Sequence, residues 1–345
     1  MSDLATSGSD AAGADASAAE VSAWSRCLAA FLGTLGLGAA LLYAFLIAVD
    51  PYDTGKLGLL GIEGVDDRNT TTASASRARD QDFDSAIIGN STALLLNPNP
   101  LSKATGLHFV QLSVVGGSPA EEMAVLDFFL RHHSRPGALV LVTDAGWCVH
   151  EVEKTPRPFP YWLYARDSVP YARRLLSSAA IEHALQRVAI GLGLRERIDP
   201  TGTFNPEDVW PAGQFFERAR PADPPPAATE TGRDALPEVS RLEGVIRKLP
   251  ADLPVVILVP PTLATTVPPT GSALAADRQA CNAALQKLVA GRPHSNFIDY
   301  RVDNALTRDR ANFVDFIHYR PLIAAKISEG IIASIEQGNA AKIDF

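Results

Sequence analysis

Several residue types are scarce in this chain, and each shortage excludes something. There are three cysteines in 345 residues, Cys27, Cys148 and Cys281, with no CxxC pair. No Cys or His spacing suits zinc, so neither a structural metal nor a disulfide framework is expected, and no cofactor is called for. Cys27 lies in an uncharged apolar run that keeps it from the other two. Cys148 and Cys281 are expected as two buried free thiols rather than a bridge. Basic residues number 31 against 39 acidic ones, a formal charge of -8. Without a dense Lys/Arg cluster interleaved with aromatics there is no surface that neutralises phosphates, so nucleic acid is not an expected partner. No internal repeat is visible.

One long apolar run is present. Residues 1–23 are rich in Ala, Ser, Gly and Asp without a periodic apolar pattern, and are expected to form a disordered tail. From Cys27 to Val49 the sequence carries no charge over 23 residues. At about 1.5 Å per residue, a helix of that length crosses a hydrocarbon core of about 30 Å. Residues 24–49 are therefore predicted as a transmembrane helix. The run exceeds the apolar region of a cleaved signal peptide, about 7 to 15 residues, and it ends in "IAVDPY" rather than in a small-residue cleavage site. An uncleaved anchor fits better. Charge does not orient it, because Arg26 on one side faces Lys56 and Arg68 on the other. Residues 50–83 are polar and turn-rich, and are expected to be a stalk or entry segment.

Residues 84–345 alternate short apolar runs with helical patterns. "DSAIIG", "HFVQLSVV", "GALVLVTDA", "PVVILVPPT" and "NFIDYR" predict strands, "EEMAVLDFFLRHH" predicts an amphipathic helix, and Pro321 to Gln337 predicts a closing helix with Pro in its first turn. Strands that are apolar throughout and alternate with helices imply a parallel sheet covered on both faces, an α/β class. The pattern weakens over about 147–249, which predicts an insertion of helices and loops that could cap a site, including a loop at "RPADPPPAATETG". Trp147, Tyr161, Trp162 and Tyr164 cluster there and are expected to pack in the core, with a sugar-binding groove as the other possibility. His132 and His133 close the amphipathic helix and suit its C-terminal dipole or solvent. His108, His150, His183 and His294 lack acidic or Cys partners at metal spacing, and Asp299 and Asp303 read as loop carboxylates.

In an open parallel sheet, ligands bind beyond the carboxyl ends of the strands. The junctions are Gly89, Asn90 and Ser91; then Gly116, Gly117 and Ser118; then Thr143 and Asp144; then Pro260, Pro261 and Thr262. Ser91, in "IIGNSTALLL", sits between a strand and a predicted helix start, where a nucleophile would gain an anion-stabilising N–H. Alternatively, Asn90 or Ser91 simply caps that helix. Near the end, "NFVDFIHYRPLIAAK" places Asp315 three residues before His318. Asp at that spacing holds an imidazole in one tautomer and leaves its other nitrogen to take a proton from a hydroxyl, although an Asp cap beside a half-buried His gives the same letters.

Taken together, the Gly-x-Ser after the first strand, the Gly pair after the second and Asp-x-x-His before the last helix resemble the SGNH, or GDSL-type, hydrolase superfamily. The chain is most similar to its membrane-anchored envelope esterases and acyltransferases, such as the alginate O-acetylation proteins. The resemblance runs from Asp84 to Gln337, interrupted by the insertion. It implies a doubly wound, three-layer flavodoxin-like sheet, with Ser91 as nucleophile, His318 as general base and Asp315 as its orienting partner. Backbone N–H groups of Ser91 and of the Gly116–Gly117 turn would serve the oxyanion, with Asn90 beside them. It further implies acyl transfer to water or to a sugar hydroxyl of an envelope polysaccharide, and a domain in the periplasm, anchored in a bacterial inner membrane. Two positions depart from the pattern. Asn90 stands where the family name has Asp, and "VTDAGW" puts Thr143 and Asp144 where a Gly-x-Asn motif would donate to the oxyanion. An ionised Asp144 aimed into the site would repel the developing charge. Either it turns away, or that donor is missing, or the domain is a silent scaffold within a polysaccharide export or modification complex.

Overall fold

The computed structural model describes residues 9–67, 69–149, 158–217 and 236–338. In chain order its helices are α1 (Ser9–Val49), α2 (Thr70–Arg77), α3 (Pro98–Thr105), α4 (Pro119–His132), α5 (Tyr161–Tyr164), α6 (Ser168–Arg174), α7 (Ser178–Gly191), α8 (Pro237–Ile246), α9 (Ala273–Val289), α10 (Ala305–Arg308) and α11 (Pro321–Gln337). Its strands are β1 (Ser85–Gly89), β2 (Phe109–Ser113), β3 (Leu139–Val142), β4 (Val255–Val259) and β5 (Asn296–Asp299). The predicted apolar runs all become strands, and the closing helix spans Pro321–Gln337.

All pairings are parallel, in the order β2-β1-β3-β4-β5. Every residue of β1 to β4 is buried, which accounts for the continuous apolar runs of β3 and β4, while the buried Gln111 and Ser113 of β2 are hydrogen-bonded internally. Side chains alternate between two cores. Ala86, Ile88, Leu139, Leu141, Val255 and Ile257 join one core with α4, α8 and α9, while Ile87, Val140, Val142, Val256 and Leu258 join another with α3 and α11. The chain leaves β1 for β2 on one side, then returns to β3 on the other. That reversal opens a crevice at the carboxyl ends of β1 and β3.

The first helix starts further upstream than composition suggests, at Ser9, within the stretch expected as a disordered tail. Alanine has the best helix propensity, and an apolar run that already forms a helix extends cheaply into it. Residues 1–8 of that tail lie outside the described residues. Val21–Val49, with mean hydropathy 2.1, is long and apolar enough to cross a membrane. Its side chains are exposed from Val21 to Leu41. Leu42, Tyr43, Phe45 and Ile47 then become partly buried, and Leu46 and Val49 enter the core.

The described residues of the 50–83 segment fold back toward the domain. Asp50 and Asp53 both take left-handed backbone conformations, with φ of 51°, and fold the chain back onto the domain. Their carboxylates are satisfied internally. Asp50 accepts from Thr54, the Gly55 N–H and Tyr171, and Asp53 accepts from the Gly64 N–H, Ser76, Arg79 and Arg187. Ala73, Ala75 and Ala78 of the same segment are fully buried. Its polar letters describe an internal network rather than solvated chain.

The cysteines also differ from expectation. Cys148 and Cys281 form a disulfide across 133 residues of sequence, with Cα atoms 5.6 Å apart. The turn after β3 (Ala145–Cys148) packs on α9, and this tertiary approach has no local signature. Closing so long a loop restricts the unfolded chain, so Cys148→Ala/Cys281→Ala is expected to lose about 2–5 kcal/mol. Thermal melts with and without reductant check this. Equal Tm values for the oxidised protein and the double variant would contradict it.

Among the described residues of the insertion, the aromatic cluster packs away from the crevice. Trp147, Leu163, Tyr164 and Tyr171 are buried in the core that also receives the end of α1, and Trp162 packs against it. The aromatic cluster is therefore core, apart from the half-exposed Tyr161. The Pro-rich loop and His150 lie outside the described residues.

Candidate active site

The turn after β1 answers to crowding. A Cβ on Gly89 would lie 2.7 Å from the Val142 carbonyl oxygen and 2.8 Å from the Ala93 Cβ, so only glycine lets β1 pass this close to β3. Asn90 then closes the turn, its side-chain oxygen accepting from the Thr92 N–H at 3.0 Å and the Thr92 hydroxyl at 2.9 Å. "TALLL" is not the predicted helix. It makes one 3-10 turn, Ala93–Leu95, and α3 begins only at Pro98. Ser91 does not stand at the start of an α-helix. The turn is held instead by Asn90 and by Tyr319, whose hydroxyl donates to the Thr92 carbonyl at 2.7 Å.

The turn-closing and hydroxyl-to-imidazole roles fall on neighbouring residues. Asn90 closes the turn onto Thr92 without capping a helix, and the Ser91 Oγ lies 2.8 Å from His318 Nε2. His318 Nδ1 lies 2.8 and 2.9 Å from the two oxygens of Asp315. A carboxylate at Nδ1 keeps the proton there, which leaves the Nε2 lone pair facing the hydroxyl. The loop carrying both residues is closed by an antiparallel bridge between Phe313 and Tyr319 and by the Val314 N–H on the His318 carbonyl. Asp315 Oδ1 also accepts from the Ile317 and His318 N–H groups at 3.0 and 2.9 Å. Burial pushes the Asp315 carboxyl up, but the hydrogen bond and charge of His318, with the two backbone donors, outweigh it and hold it below its ordinary value. From the β4 junction, the Leu263 N–H donates to the Phe316 carbonyl and props the same loop.

Of the glycine pair, the two members differ. The Gly117 N–H is spent on the Val114 carbonyl, whereas the Gly116 N–H has no acceptor among the described residues. Gly116 is left-handed, with φ of 68°, which explains its identity. The Val114 N–H donates to the Gly89 carbonyl at 2.9 Å, so this turn begins beside the end of β1. Ser118 serves the capping box of α4 with Glu121.

One hydrogen of the Asn90 amide is engaged on the far side of the turn. Its Nδ2 donates to Asp144 Oδ2 at 2.5 Å, and Asp144 also accepts from the Gly146 N–H at 2.8 Å. Asp144 is thus turned to Asn90 and braces the serine turn from β3. Desolvation pushes its carboxyl up, against the hydrogen bonds from Gly146 and Asn90. Its neighbour Glu122, fully enclosed, is pushed well up by desolvation and by Asp144, while Trp147 Nε1 donates to it at 3.1 Å. Two adjacent Glu at the start of α4 gave no sign in the sequence that both would be buried.

Trp210 and Arg320 carried no mark in the sequence. The Trp210 ring lies nearly parallel to the His318 ring, centroids 6.4 Å apart and planes at 26°. Buried Arg320, just beyond the histidine, donates to the carbonyls of Trp210, Pro211 and Gln214 at 3.2, 2.9 and 2.6 Å. The Phe216 N–H adds a bond to the Val314 carbonyl. One stretch of the insertion is thereby fastened over the histidine. The sole signal was an arginine next to the final helix, which resembles any surface cation. Compared with models of protein families and with curated proteins, the sequence matches none.

Proposed function

We propose that this protein is a serine-dependent acyl-transfer enzyme, an SGNH-like esterase or O-acyltransferase. The carrying observation is the continuous hydrogen-bonded line Ser91–His318–Asp315, assembled from groups 227 residues apart. His318 Nε2 takes the Ser91 proton as Oγ bonds to an ester carbonyl carbon. The carbonyl oxygen becomes an oxyanion, with the Ser91 and Gly116 N–H groups as its donors, each worth on the order of 10² to 10³ in rate. The oxyanion collapses, the ester oxygen leaves with the proton from His318, and Ser91 holds the acyl group. Water or a sugar hydroxyl then gives its proton to His318 and attacks the acyl carbon; the second oxyanion collapses, the bond to Oγ breaks, and Ser91 takes its proton back from His318.

The 2-1-3-4-5 strand order is the one the resemblance implies, and helices packed on both sheet faces agree with a three-layer arrangement. The disulfide supports an oxidising compartment, and with α1 it favours a periplasmic domain anchored in a bacterial inner membrane. Trp210 beside the base suits a sugar ring, in keeping with an envelope polysaccharide or glycan substrate, and transfer to a sugar is preferred over hydrolysis.

One observation favours a second reading, a silent scaffold in a polysaccharide export or modification complex. Asp144 stands where the resemblance expects an oxyanion-donating Asn, and it takes one hydrogen of the Asn90 amide. The full chain in detergent, treated with a fluorophosphonate probe and with p-nitrophenyl acetate, separates the two. Labelling lost in Ser91→Ala and in His318→Ala is the expected result. An unlabelled wild-type Ser91 would favour the scaffold.

A further inference from the structure

We propose that the corner between α6 and α7, carrying Arg173, Arg174 and Leu176, is a second membrane contact that rests in the headgroup layer of an anionic bilayer beside α1. This inference rests on α1 as the membrane span and is independent of the chemistry at Ser91. The side chains of α1 are exposed without a break from Val21 to Leu41, and those 21 residues rise about 31 Å, enough to cross a hydrocarbon core with Arg26, near the far end, reaching out to the headgroups. The edge of the bilayer therefore falls beside Leu41 and Leu42, where the domain begins to cover the helix. At that level the Tyr43 hydroxyl donates to the Ala172 carbonyl at 3.2 Å. The last turn of α6 is thus level with the lipid boundary.

The residues just after Ala172 suit that boundary. Arg173 and Arg174 are exposed, and neither has an acidic partner among the described residues. Leu176 is 62% exposed. Cations that reach phosphates beside an apolar side chain that enters the acyl edge are the composition of an interfacial segment. The corner is also unable to swing away. Tyr171, one residue earlier, is fully buried and donates to Asp50 at the foot of α1. The Tyr43 and Tyr171 bonds tie α6 to α1 at two heights.

Depth-dependent quenching tests the contact. The full chain carrying Cys27→Ala is reconstituted into phosphatidylcholine/phosphatidylglycerol vesicles, with a fluorophore on Leu176→Cys, on Leu35→Cys within α1, or on Leu322→Cys on the exposed face of α11. Lipids spin-labelled near the headgroup are expected to quench the label at 176 and to spare the one at 322. Lipids labelled deep in the acyl chain should quench the label at 35. Adding Arg173→Glu/Arg174→Glu should weaken quenching at 176 in anionic vesicles more than in neutral ones. A label at 176 quenched no more than the one at 322, while 35 is quenched, overturns the contact and leaves the anchor. A label at 176 shielded from aqueous iodide but untouched by the lipid quencher overturns it in favour of a protein partner. An unquenched label at 35 removes the span and the inference together.

Discussion

Asp315→Asn is expected to slow acylation of Ser91 by about 10⁴-fold while leaving the fold intact. Asn keeps an oxygen able to accept from the Ile317 and His318 N–H groups, so the loop retains its internal bonds. Its amide nitrogen, however, turns toward His318 Nδ1, which must then accept. The ring proton moves to Nε2, and the nitrogen facing Ser91 no longer has a lone pair for the hydroxyl proton. Stopped-flow acylation by p-nitrophenyl acetate, compared with thermal melts, tests this. The expected pattern is a collapsed rate with an almost unchanged Tm. A rate within tenfold of wild type would show that Asp315 does not set the tautomer, and a large fall in Tm would assign it to loop stability instead.

Arg187→Met is expected to destabilise the protein by about 3–5 kcal/mol, with a fall in Tm of about 10 °C. Arg187 is 2% exposed. It donates to the carbonyls of Val49, Asp50, Ile62 and Gly64 and pairs with Asp53 at 2.9 Å. Methionine fills much of the volume but donates nothing, so the buried Val49 and Asp50 carbonyls and the partly buried Ile62 and Gly64 carbonyls lose a donor. Asp53 keeps Arg79 at 2.5 Å and Ser76 at 2.6 Å, which limits the loss on that side. Denaturation in detergent, followed by near-ultraviolet circular dichroism, measures the change. A loss below about 1 kcal/mol would place Arg187 among ordinary surface cations.

The strands and the last helix were legible because period and burial agree there: "VVILV" has one use in a parallel sheet. The serine and histidine motifs were legible because each is a short sequence whose spacing is its geometry. What escaped depends on pairs distant in the chain. Asp50 and Asp53 look like turn residues until Tyr171 and Arg187 arrive more than a hundred positions later. Cys148 meets Cys281 only after β3 and α9 are packed. Asp144 looked like a repulsive intruder because nothing in "VTDAGW" reveals that Asn90 faces it. The predicted helix after Ser91 failed for a local reason. Asn97 and Pro98 start a capped helix of their own and leave only one turn before it.

On the proposed reading, with α1 in a bilayer, its firm seating in the domain sets how the site would meet a substrate. A head on a long tether sweeps a volume, whereas one locked to its root by Arg187, Tyr171 and Tyr43 travels only sideways, at a set elevation and tilt. Encounters become a search in two dimensions. On that reading, whatever reaches Ser91 is presented at that elevation, and its supplier shares the same sheet of lipid.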